Sequence, residues 1–363
     1  MLALYRKYRP KTFSEVVGQE HVVKTLTNAI SMGRVSHAYL FYGTRGVGKT
    51  TLARLLAKAV NCQNRKEGEY EPCNQCISCR EINEGNALDL IEIDAASNRG
   101  IDEIRSLKEE INVVPVRSKY KVYIIDEAHQ LTKEASNALL KTLEEPPLHA
   151  IFILCTTEFH KILPTIASRC QRFEFKKLTL PQIVKKLEFI CSSEKIKVEK
   201  GALEIIAKAA EGSSRDAESL LNDVINLEKK VIKKKTVEEI LGIVGVEPVS
   251  RLVEFFIKKE KRKALEYLSQ IFQRGIDVEN FSKELISYLR DLLLVKINPE
   301  IFDKNNIFTE EEKERLKEQV NRLSEKDLRK ILKIFLEAQA QMKWTEFPQL
   351  PLELATIETI DSL

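Results

Sequence analysis

The chain has 363 residues, 43% of them hydrophobic and 31% charged, with 58 Lys and Arg against 54 Asp and Glu for a net charge of +4. That balance excludes a disordered chain and a uniformly basic coat, so any nucleic-acid contact has to come from local patches. No apolar run approaches the roughly 18 residues of a membrane span, and the opening stretch Met1 to Pro10, apolar and then basic, does not read as a signal peptide. The expected location is the cytoplasm, where thiols stay reduced. At about 150 residues per domain, the length suggests two or three domains.

In chain order, five short apolar segments read as strands: Ala38–Tyr42, Leu88–Asp94, Lys121–Asp126, Ala150–Thr156 and Gln171–Phe175. Each is a near-continuous apolar run, the pattern of a parallel sheet buried on both faces. Helical patterns such as Thr50–Val60 and Lys133–Leu143 lie between them, so residues 1–178 are expected to form an α/β domain with helices on both sides of the sheet. After Thr179 the strand signals stop. Three helical stripes follow: Ile183, Val184, Leu187 and Ile190; Leu203, Ile206, Ala207 and Ala210; Leu220, Leu221, Val224 and Ile225. They predict a small three-helix domain over residues 179–242, in which the basic run Lys229–Lys235 is a solvated helix end and loop. Residues 243–363 are expected to be all-helical, with stripes around Leu252, Leu268, Leu285 and Ile331, and with Ser324 and Asp327 spaced as a capping box. The sequence contains no internal repeat and no low-complexity tract.

The strongest local signal is Gly43-Thr-Arg-Gly-Val-Gly48-Lys49-Thr50, a match to G-x-x-x-x-G-K-[ST] between a predicted strand and a predicted helix. Gly43, Gly46 and Gly48 let the backbone curl so that successive N–H groups, including those of Val47 and Thr51, face phosphate oxygens at a helix N-terminus. Lys49 supplies a point charge to the β- and γ-phosphates, and the Thr50 hydroxyl can ligate magnesium. A second strand should end in acid, and Val122-Tyr-Ile-Ile-Asp126-Glu127 does so. Asp126 is expected to hold magnesium and Glu127 to polarise the attacking water. Asp126-Glu-Ala-His129 also spells a helicase signature, but a helicase needs a second strand-rich motor domain, and the sequence beyond Thr179 is helical. His129 therefore reads as an ordinary polar residue near a strand end.

Cys62, Cys73, Cys76 and Cys79 sit on one excursion between the first helix and the second strand. Close C-x-x-C spacing lets thiolates chelate one ion, and four soft ligands favour tetrahedral zinc with no open position for catalysis. Free thiols or a redox pair are the alternatives. Cys155, Cys170 and Cys191 stand alone and read as small buried apolar residues.

Longer motifs carry a family resemblance. Tyr5-Arg-Lys-Tyr-Arg-Pro10, Phe13, Val16-Val-Gly-Gln-Glu-His21, Asn137-Ala-Leu-Leu-Lys-Thr-Leu-Glu-Glu-Pro-Pro147, Leu154-Cys-Thr-Thr157, Ser168-Arg-Cys170 and Gly212-Ser-Ser-Arg-Asp216 resemble the gamma/tau subunits of bacterial DNA polymerase III. The match is specific over about the first two thirds of the chain and weaker beyond. It implies an AAA+ fold with a parallel sheet, a helical lid and a helical collar, and the motor subunit of a clamp loader. It implies that Tyr8, Arg9, Pro10, Val16 and Val17 line the base and ribose pocket, while Gln19 and His21 cap or solvate the next helix. Thr157 resembles sensor 1 and Arg215 resembles sensor 2. Arg169 resembles the arginine finger, acting in trans on a neighbouring subunit. The family carries a zinc module at the cysteine positions, and all four match here.

The same resemblance implies ATP, Mg²⁺ and Zn²⁺ as cofactors. It implies a heteropentamer with delta and delta prime subunits, a beta sliding clamp, and primer–template DNA held mostly by its phosphates. Ser97-Asn-Arg99-Gly100, ahead of a helical pattern, is the expected DNA-contacting segment, with Arg99 the candidate residue. Polymerase core and helicase are expected partners only of a longer form, no membrane partner is expected, and the polymerase reaction itself is not expected in this chain. A non-hydrolysing scaffold subunit of the same machine, and a branch-migration or initiator motor of the AAA+ class, are the competing readings.

Overall fold

The computed structural model describes residues 3–97, 111, 113–227, 231–242, 245–299 and 310–363. Arg99, the rest of the expected DNA-contacting segment after Ser97, and the first residues of the basic run lie outside the described residues. The chain divides into two compact units, Met1–Lys197 with Ile206–Lys229, and Val198–Ile205 with Lys230–Leu363.

The first unit is built on five parallel strands, β1 (Ala38–Gly43), β2 (Leu90–Asp94), β3 (Lys121–Asp126), β4 (Ala150–Thr156) and β5 (Gln171–Phe175), in the order β2-β3-β4-β1-β5. The expected strands are all present. β2 begins at Leu90 rather than Leu88, because Leu88 is 63% exposed and the Asp89 side chain is engaged elsewhere. The helices of this unit are α1 (Leu4–Lys7), α2 (Glu20–Ser31), α3 (Lys49–Val60), α4 (Ile77–Glu84), α5 (Lys133–Glu144), α6 (Pro164–Ala167) and α7 (Leu180–Ser193). α8 (Lys200–Ala209) has residues in both units, and α9 (Ser214–Leu227) returns to the first.

Strand alternation explains the core. Leu40, Tyr123, Ile125, Phe152 and Leu154 pack with Leu139 and Leu143 of α5 on one face. Their neighbours Tyr39, Phe41, Val122, Ile124, Ile151 and Ile153 are equally buried, and α3 contacts β1, β3 and β4. Every residue of β4 is buried, as a central parallel strand requires. The register pairs Tyr42 with Thr156 and Asp94 with Asp126, so the strand ends that carry polar groups reach one edge of the sheet together. β1 lies between β4 and β5, which opens a crevice at that carboxyl edge, where the strand order reverses.

The second unit is helical: α10 (Lys234–Leu241), α11 (Val246–Lys258), α12 (Lys261–Gln273), α13 (Val278–Ile297), α14 (Glu310–Arg322), α15 (Glu325–Met342) and α16 (Gln349–Ser362). Phe256, Leu268, Phe281, Leu285, Leu289 and Phe335 make one buried cluster, with the Phe256 and Phe335 rings stacked at 5.6 Å. The capping box at Ser324 forms as its spacing predicts: Asp327 N–H donates to Ser324 Oγ at 3.1 Å, and Ser324 N–H to Asp327 Oδ2 at 3.2 Å. No described helix is long and apolar enough to cross a membrane.

Asp89 pins the loop that leads into β3. Its carboxylate accepts the amides of Val116 at 2.7 Å, Arg117 at 3.0 Å and Ser118 at 2.8 Å. Burial opposes its ionisation, but the three amides more than offset this and hold the carboxyl below its usual range. A carboxyl lowered on folding contributes stability above the unfolded value of about 4, and the contribution is lost as pH falls through the folded value. Asp89→Asn should therefore lower the stability seen in urea melts at neutral pH, and the gap to the wild type should close on acidification. A gap that stayed constant into strong acid would contradict the role of this carboxylate.

Candidate functional site

The loop after β1 starts the site. A Cβ on Gly43 (φ +147°) would lie 2.3 Å from the Phe175 carbonyl oxygen, so only glycine lets β1 leave the sheet here. Gly46 has φ +76°, and a Cβ there would strike Ser213 Oγ at 1.9 Å. The turn before α9 thus presses on this loop, and Arg215 N–H donates to the Gly46 carbonyl at 3.3 Å. Gly48 is the N-cap of α3, whose unpaired first amides face the crevice.

Lys49 Nζ donates to the carbonyls of Gly43 at 2.7 Å and Thr44 at 2.8 Å. Burial pulls this ammonium below the usual lysine range, against the opposing charges of Glu127 and Asp126. Such a partly desolvated cation at a helix N-terminus is suited to phosphate oxygens. Thr50 Oγ1 donates to Asp126 Oδ2 at 2.8 Å. These two hard oxygens are the ligand type that magnesium takes beside a phosphate.

Glu127 follows with a left-handed backbone, φ +48°. Its Oε2 accepts the Thr157 hydroxyl at 2.9 Å. His129 is not an ordinary polar residue of a strand end, as the sequence suggested. Its side chain is 4% exposed, with Nδ1 3.4 Å from Glu127 Oε2 and 3.0 Å from Thr156 Oγ1, and Nε2 3.2 Å from Glu158 Oε1. The short turn after β3 brings it behind Glu127 and next to β4.

The cleft above these groups is lined by Arg9, Pro10, Val16, Val17, Gly46, Val47, Gly48, Lys49, Thr50, Thr51, Asp126, Glu127 and Arg215, all expected from sequence. It is also lined by Tyr5, Arg45, Leu178, Lys186, Ser214 and Glu218, which sequence reasoning missed. Tyr8 is a correction, since it does not line the cleft. Its hydroxyl donates to Glu194 Oε1 at 2.7 Å and its ring meets Phe189 edge-on, because the helix before it turns it toward the end of α7. Tyr5 takes the inward place instead, its ring 5.0 Å from the Arg215 guanidinium carbon. Lys186 pairs with the buried Glu218 at 2.5 Å, and Ser214 Oγ donates to the same Glu218 oxygen at 2.7 Å. No pattern in the sequence pairs α7 with α9.

Gln19 is also corrected. Gln19 is fully buried and does not cap α2 with its side chain. Its Nε2 donates to the Lys176 carbonyl at 2.7 Å and its Oε1 accepts the Lys176 amide at 3.1 Å, locking the N-terminal segment ahead of α2 (residues 5–19, here the strap) to the chain just after β5. His21 Nε2 lies 2.8 Å from the Glu174 carbonyl. Thr157 reaches the site only through Glu127. Arg169 lies outside the cleft lining, ion-paired with Glu144 and donating to the Thr165 carbonyl at 2.8 Å.

Apart from the cleft, the sulfurs of Cys62, Cys73, Cys76 and Cys79 all lie within 4.8 Å of one another, with Cys73 and Cys79 at 4.0 Å. Metal–sulfur bonds of about 2.3 Å in a tetrahedron put sulfurs about 3.8 Å apart, so the four fit a single ion. Amides of Cys76 and Gln75 point at Cys73 Sγ at 3.2 and 3.4 Å, and that of Cys73 at Cys62 Sγ at 3.3 Å, which suits thiolate charge. Cys155, Cys170 and Cys191 are buried, as expected, and burial pushes the Cys170 thiol up to about 12.

Family models match the chain in three consecutive stretches. The DNA polymerase III delta subunit model matches residues 18–179, the ATPase lid domain of the DNA polymerase III clamp loader subunit residues 182–228, and domain III of DNA polymerase III subunits gamma and tau residues 232–362. DNA polymerase III subunit tau of Bacillus subtilis is 45% identical over 360 residues, covering 98% of this chain and 62% of the relative. Subunit gamma of Buchnera aphidicola (strain APS) is 37% identical and covered to 99% on both sides. Subunit tau of Escherichia coli is 44% identical over 82% of this chain and 46% of its own length. The chain therefore spans nearly all of one relative but only about half to three fifths of the two tau subunits. In fold, it is similar to the Thermotoga maritima RuvB Holliday junction branch migration motor, with a TM-score of 0.50, 22% identity, and coverage of 69% of this chain and 79% of that one. With a phosphate loop, an acidic strand end and a helical lid on this sheet, and with these relatives along its length, the chain belongs to the gamma/tau family of DNA polymerase III clamp-loader subunits.

Proposed function

We propose that this chain is the ATP-driven motor subunit of a replicative clamp loader, hydrolysing ATP to load a beta sliding clamp onto primed DNA. One observation carries the reading. The loop residues Arg45–Thr50, the Thr50–Asp126 pair, Glu127 and Arg215 converge on one cleft in a chain of this family. The loop amides and Lys49 bind the triphosphate. Thr50 and Asp126 would hold Mg²⁺, which supplies charge neutralisation at the β- and γ-phosphates. Thr157 occupies one oxygen of Glu127, leaving the other to orient water for in-line attack. Arg215 reaches the nucleotide of its own subunit, and the base lies along Pro10, Val16 and Val17.

Arg169 would complete the site of a neighbouring protomer, and its place outside the cleft supports action in trans. The functional parts would be an AAA+ domain over 1–178, a lid over 179–242 and a collar over 243–363 that joins delta, delta prime and further copies in a heteropentamer. Primer–template DNA would be held by phosphate contacts, with Arg99 the candidate residue. A longer form would add contacts to polymerase core and helicase, and the location would be the cytoplasm. Cys62, Cys73, Cys76 and Cys79 would hold structural zinc. The convergence of Lys49, Thr50, Asp126 and Glu127 speaks against a non-hydrolysing scaffold. The cysteine cluster and the relatives' names speak against a branch-migration motor, for which there is a likeness of fold alone.

ATPase turnover with and without clamp, partner subunits and primed DNA tests the proposal, which requires stimulation by all three together. Lys49→Ala should abolish turnover while leaving the thermal melt intact; retained hydrolysis would reject the phosphate site. Arg169→Ala should keep ATP affinity but cost about 10³-fold or more in turnover, and only in the assembled complex. An equal loss in the isolated chain would reject action in trans. Metal analysis of the purified chain should find about one zinc per chain, removable by chelator with partial unfolding. A metal-free, fully folded protein would reject the module.

A further inference from the structure

We propose that the cysteine module braces the nucleobase strap. Glu71 and Asn74 of the cysteine loop, with Lys58 of α3, hold residues 11–14 where the flanking Pro10, Val16 and Val17 can line the cleft, so that metal occupancy and ATP affinity are coupled. The inference rests on reading the cleft as the nucleotide site and the cysteines as the zinc site.

The strap makes a 3-10 turn at Phe13–Glu15, and its N-cap Thr12 makes no side-chain capping bond. The first amides of such a turn have no partner within it and need acceptors. Glu71 supplies both, its Oε2 accepting Phe13 N–H at 2.8 Å and its Oε1 accepting Ser14 N–H at 2.9 Å. A carboxylate from the cysteine loop thus caps a turn far away in sequence, with charge-assisted bonds on two consecutive amides. The Phe13 ring, 1% exposed, packs beside it and meets the Tyr70 ring edge-on at 6.5 Å.

One residue beyond Cys73, Asn74 has a left-handed backbone, φ +56°, and its Nδ2 donates to the Lys11 carbonyl at 3.1 Å. Lys58, 2% exposed, spends its three ammonium protons on the Lys11 carbonyl at 2.8 Å, Asn74 Oδ1 at 2.6 Å and Asn83 Oδ1 at 2.9 Å. Lys58 lies on the helix that begins with Lys49 and Thr50. Three pieces therefore meet at one polar junction: the strap that carries the base pocket, the loop that carries the cysteines, and the helix that carries the phosphate site. Glu71 and Asn74 stand within two residues of Cys73, so a loop that releases its ion also loosens its hold on the strap. By linkage, nucleotide bound against the strap then strengthens the hold on the ion by the same factor.

The test compares two probes on the full chain: a fluorescent ATP analogue, which uses strap and phosphate loop, and inorganic tripolyphosphate, which uses the loop alone. Glu71→Ala should weaken the ATP analogue about tenfold, a typical coupling factor, while tripolyphosphate affinity and zinc content stay at wild-type values. Glu71→Gln, which keeps one acceptor oxygen, should fall between, and Asn74→Ala should act in the same direction if Glu71→Ala does not fold. Removing zinc with a chelator should give the same selective loss, and saturating ATP should slow zinc release. Wild-type affinity in Glu71→Ala, or equal weakening of both probes, would overturn the brace. If Lys49→Ala weakened neither probe, the nucleotide reading would fail instead, and a wild-type chain purified without metal would overturn the coupling to zinc.

Discussion

The hydrogen bond from Thr50 to Asp126 depends on the whole architecture of the first unit. One partner opens the helix after β1, and the other ends β3, two strands away across β4. The two meet only if the strand order reverses there and the register brings the strand ends level. Two oxygens at the rim of the apolar centre of the sheet would be costly without a partner. Paired to each other, and facing the amides of a helix N-terminus, they are the groups that the proposed cation and phosphate subsite would use, and the fold supports them from below. Lys49, held on two loop carbonyls, and Glu127, held by Thr157, take their places around that pair.

Closure of the cleft comes from segments distant in sequence. The N-terminal strap is fixed by Gln19 to Lys176 beyond β5 and by Glu71 to the cysteine loop. The start of α9 is fixed by Ser213 against Gly46 and by the Lys186–Glu218 pair. Tyr5 and Arg215 meet where strap and lid approach each other. A nucleotide in this cleft would touch sheet edge, strap and lid at once. Arg169, tied to Glu144, lies apart from that closure.

The phosphate loop, the acidic strand end and the cysteine cluster were legible in the sequence because each is a local pattern whose spacing is itself the chemistry. The central strands β1, β3 and β4 were legible because both faces are buried, which leaves continuous apolar runs, whereas the edge strands β2 and β5 are partly exposed and interrupted by charge. What was not legible depends on approach in space. Tyr5 and Tyr8 are three residues apart in one basic stretch, and only the turn of the short helix decides that Tyr5 faces inward. Gln19 looks like a helix cap until β5 brings the Lys176 backbone to it. His129 looks incidental until β4 brings Thr156 and Glu158 to its two nitrogens. Lys186 and Glu218 look like surface charges on two separate helices until those helices pack.

The central claim is that one nucleoside triphosphate is cradled between the β1 loop, the strap and the lid. A crystal structure with magnesium and a non-hydrolysable ATP analogue tests it most directly. The account predicts triphosphate density over Gly43–Thr50, a cation between Thr50 and Asp126, and the base against Val16 and Val17. Density for the analogue at any other place on the chain would contradict it.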